Sequence, residues 1–173
     1  MVLWGDIELP GCDRPLTAVE PARRQALATH LEAVVADVSF TAIDRPNGTG
    51  PRQSSPDFRA ACAACRGHCC QKGGTDAYLD FESVGLAWGR FPHLSKQELV
   101  AAYLDAVPAR SFADSCIFHA EHGCNLPETM RSPVCAAYLC APLLALKTSL
   151  SPKPPATSGR TRARRPMVNR ALT

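Results

Sequence analysis

Cys62-Ala-Ala-Cys65-Arg-Gly-His-Cys69-Cys70 puts four cysteines within nine positions, and four more follow at Cys116, Cys124, Cys135 and Cys140. Of the nine cysteines in 173 residues, only Cys12 stands far from the rest. In an oxidising compartment such density reads as disulfides, and in a reducing one it reads as metal. Met1–Gly11 carries Asp6 and Glu8 and has neither a basic run nor an apolar stretch, so no secretory leader is expected. No window reaches the ~18 to 20 consecutive apolar residues of a membrane span; the longest run, Val134–Leu146, contains Pro142. A cytoplasmic chain with no membrane partner is expected, and its clustered cysteines are candidate metal ligands.

Two thiolates three residues apart on a tight turn can face one ion, and a third four residues on can complete one side of it. Gly67 supplies the backbone freedom for such a knuckle, and Gly73-Gly74 is expected to leave the chain loose beyond it. Adjacent cysteines in extended backbone point apart, so one of Cys69 and Cys70 is expected to serve a second site or to be a structural neighbour. The later cysteines follow the pattern Cys116-x7-Cys124 and Cys135-x4-Cys140, with Gly123 and Pro133 marking turns beside them. Eight cysteines allow two four-thiolate sites, one such site with buried spares, or a cluster with accessory thiols; spacing leaves these open. Zinc sites favour two Cys-x2–4-Cys pairs, which only the first group supplies. Cys-x2-Cys-x3-Cys-Cys is close to bacterial iron–sulfur runs without equalling them. A buried thiol can also simply fill a core, a reading that the density opposes for the set and that stays open for Cys140. With thiols in excess, His68, His119 and His122 read as solvated or hydrogen-bonded side chains. No Ser-His-Asp set or phosphate loop is present, and Gly85–Gly89 lacks dinucleotide-binding spacing.

Leu, Ile, Val and Phe number only 36 of the 173 residues, just above the ~20% share typical of disordered chains. One small domain with flanking segments is therefore expected. Residues 1–43 hold an amphipathic helix entered at Pro21, with Leu27, Leu31, Val34, Val35 and Val38 on its apolar stripe and Arg23, Arg24, Glu32 and Asp37 on its polar face. Residues 44–57, rich in Pro, Gly and Ser, form a linker. Residues 58–146 form the cysteine-cluster, metal-binding domain. Two helices span its long gap between Cys70 and Cys116: one from Phe81 to Trp88, capped by Asp80 and stopped at Gly89, and one opened by a Ser95/Glu98 capping box and stopped by Pro108. Residues 147–173, with seven basic and no acidic side chains, form a disordered basic tail. The tail turns a folded part of formal charge −4 into a chain of net charge +3. No aromatic residue is interleaved with its arginines to stack on bases, so nucleic acid is an unlikely partner. The fold class is a small, irregular α-rich domain, α+β at most, stapled by metal.

The run Cys62 to Cys70, the segment Ser115-Cys116-Ile117-Phe118 with Gly123-Cys124, and Arg131-Ser132-Pro133-Val134-Cys135 through Cys140 together resemble the YkgJ-type cysteine-cluster family of zinc- or iron-chelating domains. The resemblance covers roughly Cys62 to Cys140. Three positions depart from the family pattern: Arg66 precedes Gly67 where glycine usually follows the second cysteine, Ser132 separates an Arg-Pro pair, and Ala136 replaces an arginine. The resemblance implies metal chelation by zinc or iron, an iron–sulfur cluster included. Cys62, Cys65, Cys69, Cys70, Cys116, Cys124, Cys135 and Cys140 are the candidate ligands, a metal ion is the expected partner and a protein a further one. Two other functions remain open: an iron–sulfur-dependent, methyltransferase-like protein-modifying enzyme or subunit, and a zinc-stabilised interaction module whose tail touches nucleic acid.

Overall fold

The computed structural model describes residues 1–37 and 56–150. A hairpin of β1 (Val2–Trp4) and β2 (Ile7–Leu9) opens the chain, and β3 (Leu16–Ala18) pairs antiparallel with the distant β4 (Arg110–Phe112). Between them run α1 (Pro21–Asp37), α2 (Pro56–Ala64), a 3₁₀ turn (His68–Lys72), α3 (Phe81–Arg90) and α4 (Lys96–Asp105). A two-residue hairpin of β5 (His119–Ala120) and β6 (Gly123–Cys124), a 3₁₀ turn (Glu128–Met130), α5 (Pro133–Ala137) and α6 (Ala141–Leu150) follow. The described fold is helix-rich with three two-stranded ladders, and among the described residues no helix is long and apolar enough to cross a membrane.

The helices form where sequence chemistry favours them. Asp80 caps α3 by accepting from the Ser83 amide at 2.8 Å. Ser95 and Glu98 make a reciprocal capping box at α4. Gly89 does not stop α3, which continues to Arg90; the Phe91 amide closes it on the Trp88 carbonyl. The linker is shorter at its end than its composition predicts, because α2 begins at Pro56. The helical chain likewise passes residue 147 and continues to Leu150, so the basic tail begins later than expected. The rest of the linker and tail, and Val38, lie outside the described residues.

Two apolar clusters organise the molecule. The larger packs Leu27, Leu31 and Val35 of α1 against Leu79, Val84, Leu99, Tyr103, Ile117 and Phe118. Tyr103 is fully buried and donates its hydroxyl to the Met130 carbonyl at 3.0 Å. The smaller joins Leu9 of the first hairpin to Phe58 and Ala61 of α2 and Leu139 and Leu143 near α6, with Cys65 buried among them. Thus α1 docks on the helical spacer α3–α4, and the N-terminal hairpin covers the segment carrying the first cysteines.

Candidate metal centre

The knuckle between α2 and the 3₁₀ turn reverses through two consecutive left-handed residues, Arg66 (φ 55°) and Gly67 (φ 71°). A Cβ on Gly67 would stand 3.0 Å from His119 Nε2 and 3.2 Å from the Gly123 Cα. Only glycine therefore lets the knuckle lie directly on the β5–β6 hairpin. Gly73 is held just as closely: a Cβ there would lie 2.7 Å from that of Cys116, so the segment expected to be loose is pressed against a cysteine. Cys69 and Cys70 sit in a 3₁₀ turn rather than in extended chain, and Cys62 and Cys135 lie in helices rather than turns.

Backbone pairing joins the two cysteine groups across the spacer. The Cys116 amide donates to the Cys70 carbonyl at 2.9 Å, and the Ile117 amide to the Gly74 carbonyl at 2.9 Å. His119, fully buried, donates from Nε2 to the Arg66 carbonyl, while its Nδ1 lies 2.5 Å from the Ser115 hydroxyl. Burial holds its pKa below the usual histidine range. The Ser115 hydroxyl also reaches the Cys70 carbonyl at 3.1 Å, and both ring nitrogens of His119 are engaged by protein groups. His68 Nδ1 donates to the Gly11 carbonyl at 2.9 Å, which ties the N-terminal segment to the knuckle. His122 is exposed at the hairpin tip.

Cys70 lies at the centre, within hydrogen-bond reach of both Cys69 and Cys124. The hydrogen bonds with Cys124 and Cys69, together with burial, drive the Cys70 thiol well above the usual cysteine range. Cys124 is lowered to about 6, first by its hydrogen bond with Cys70 and then by the Arg131 guanidinium. Burial pushes the Cys116 thiol up to about 12. A cavity of about 290 Å³ opens beside these thiols, lined by Cys69, Cys70, Cys116, Cys124 and Cys135, with Phe118 and Leu126 in its wall and the exposed Tyr78, Val134 and Tyr138 at its rim. Cys65 is buried in the smaller apolar cluster, with Cys62 and Cys140 packed against it; the Cys65 thiol donates to the Cys62 carbonyl at 3.2 Å, and burial raises its pKa. Cys12 is buried elsewhere.

Arg131 holds the chain beside this cluster. Arg131 donates from Nε to the Leu126 carbonyl at 2.8 Å and from Nη2 to the Cys124 carbonyl at 3.3 Å, clamping the loop that follows Cys124. Ser132 caps α5, the helix of Cys135, and is tied to Ser83 of α3 at 3.1 Å. The residue that splits the Arg-Pro pair is thus a structural anchor. The Arg-x-Pro motif marked this region, but nothing in it gave the carbonyl targets.

No family model, curated protein or solved structure matches the chain. Among the described residues, no group of three or more His, Cys, Asp and Glu side chains stands ready around a single metal position. The donor chemistry nevertheless fits a thiophilic ion. Sulfurs on a tetrahedral zinc lie about 3.8 Å apart, given a Zn–S bond of about 2.3 Å, a spacing close to that of thiols sharing a proton. None of the nine cysteines is tied up in a disulfide.

Proposed function

We propose that this chain is a metal-binding protein that holds zinc or iron on thiolates drawn from Cys62, Cys65, Cys69, Cys70, Cys116, Cys124, Cys135 and Cys140, with Cys70 and Cys124 at the centre. One observation carries the reading: chain segments some 50 residues apart in sequence bring Cys69, Cys70, Cys116, Cys124 and Cys135 to the wall of one cavity. A thiophilic dication replaces protons in such a cluster and gains a donor set with no competing disulfide. The resemblance of these cysteine motifs to the YkgJ-type family supports the same reading.

Elemental analysis with an absorption spectrum, on full-length protein purified without oxygen, tests it. At least one zinc per chain in a colourless sample supports a zinc-binding module. Iron with labile sulfide and broad visible absorption supports a cluster. Neither metal above background would overturn the proposal.

A further inference from the structure

Among the described residues, Cys70 and Cys124 are the two cysteines that line both the cavity of about 290 Å³ and a second one of about 170 Å³. They stand between the two spaces and are reached from either, and each is half-buried. The position that a Cβ on Gly67 would take lies 3.3 Å from Cys70 Sγ and 3.2 Å from the Gly123 Cα. The Cys70 sulfur therefore stands against the strand that carries Cys124, and the two thiols are already within hydrogen-bond reach of each other. We propose that Cys70 and Cys124 are a redox site: hydrogen peroxide joins them in a reversible disulfide. Where the centre holds an ion, a clause that rests on the metal reading above, the link takes two of its thiolates and releases the metal.

Other pairs are less well placed. Cys69 adjoins Cys70 in sequence, and a bond between them would close a small, strained ring through their shared peptide bond. Cys65 is buried among Leu9, Phe58 and Leu143, with its thiol turned to the Cys62 carbonyl at 3.2 Å. Cys116 is only 6% exposed and pressed against Gly73. The backbone beside the favoured pair is held on both sides. The Cys70 carbonyl accepts from the Cys116 amide and the Ser115 hydroxyl, and the Cys124 carbonyl accepts from Arg131. Side-chain rotation is then the movement that brings the sulfurs together. One thiolate attacks a peroxide oxygen, breaking the O–O bond and expelling hydroxide, and becomes a sulfenic acid. The second thiolate attacks that sulfur, forms the S–S bond and expels a second hydroxide. The two thiol protons turn both hydroxides into water, so two thiols and one peroxide give one disulfide and two waters. The sulfurs lose two electrons and the peroxide gains them.

The test titrates the full chain, purified without oxygen, with up to one equivalent of hydrogen peroxide. Remaining thiols are then alkylated and the peptides mapped by mass spectrometry, while a chromogenic chelator follows any zinc or iron set free. Free thiols are expected to fall by two of the nine per chain. Cys70 and Cys124 are expected in one cross-linked peptide pair, both thiols returning with dithiothreitol. Cys12→Ser leaves this result unchanged, and in Cys70→Ser a sulfenic acid on Cys124, trapped by dimedone, replaces the link. Mapping of the unmutated chain reads the pairing whether or not a variant folds. A first link between any other pair, Cys62 with Cys65 included, or sulfinic and sulfonic acids without a link, overturns the redox site. A bound ion in a chain that forms no Cys70–Cys124 link also overturns it and leaves metal binding standing. The link in a chain that carries no metal removes metal binding and leaves the redox site. An ion that stays bound while the link forms overturns the competition for these two sulfurs.

Discussion

Arg23, in the first turn of α1, donates to the carbonyl of Ser115, the residue immediately before Cys116. The same guanidinium reaches the Ser111 and Thr75 hydroxyls and the Gly74 carbonyl, each at 3.3 Å. A residue that the helical pattern assigns to a solvated face thus fastens the N-terminal helix to the loops that hold Cys116. Arg23→Met keeps an unbranched apolar stem and removes the guanidinium donors. Hydrogen bonds made by charged groups contribute roughly 1.5–3 kcal/mol each when they are well formed. With this side chain only half-buried, an overall loss of about 1–3 kcal/mol is expected in denaturant unfolding. A loss within error of zero would show that Arg23 is a bystander.

Arg66 and Gly67 carry opposite predictions at adjacent positions. Arg66 occupies the left-handed region at φ 55°, which costs a residue with a Cβ roughly 1–2 kcal/mol. Its one ion pair, to Glu121 at 3.8 Å, joins two exposed side chains and is worth little. Arg66→Gly is expected to stabilise the chain by about 0.5–1 kcal/mol after glycine's larger unfolded-state entropy is counted. Gly67→Ala adds the same strain together with contacts at 3.0 and 3.2 Å to His119 and Gly123. It is expected to destabilise by more than about 1 kcal/mol. Equal signs for the two variants in thermal melts would refute this account of the knuckle.

The local structure was legible where one residue's chemistry decides it: the Asp80 cap, the Ser95–Glu98 box, the entry of α1 at Pro21 and the glycine at position 67. Its limits were equally physical. Gly89 reads as a stop, yet α3 runs one residue beyond it: Pro92 has no amide to offer the Trp88 carbonyl, and the Phe91 amide closes the helix there instead. Gly73 reads as slack, because the Cys116 Cβ it must admit lies 43 positions away in the chain. The pairing of β3 with β4 and the reach of Arg23 and Arg131 to carbonyls depend on tertiary placement, for which two- or four-residue spacing carries no signal. The cysteines announced a cluster. That Cys69, Cys70, Cys116, Cys124 and Cys135 line one cavity, while Cys65 is buried among apolar side chains, follows only from the folded chain.

Asp80 makes one step of acid unfolding assignable. Its carboxyl is held below the usual aspartate range by the Ser83 hydroxyl and amide beside it. A depressed folded pKa means the cap contributes fully above the unfolded value of ~3.9 and is lost as pH falls through the lower folded value. Asp80→Ala is expected to lower stability by about 1 kcal/mol near neutral pH. Asp80→Asn keeps a capping oxygen without the charge. Its stability deficit relative to the unmutated chain should therefore shrink between about pH 5 and pH 3. Loss of metal at low pH affects both proteins alike and cancels in the comparison, so a deficit independent of pH would exclude the carboxylate as the cause.

Metal removal tests how far the thiolate centre supports the fold. The segments that carry Cys62, Cys70, Cys116, Cys124 and Cys135 are a nine-residue helix, short turns, a two-residue strand and a five-residue helix, elements too short to persist alone. A structural zinc supplies apparent binding free energy on the order of 10–16 kcal/mol, as much as the whole stability of a typical domain, about 5–15 kcal/mol. Chelation is therefore expected to abolish the cooperative thermal transition and the near-UV signal of the fully buried Tyr103. Readdition of zinc to the chelated chain should restore both. A chelated chain that keeps its full melt and its near-UV spectrum would instead place folding in the two apolar clusters around Leu31 and Phe58, with the metal bound to a scaffold already formed.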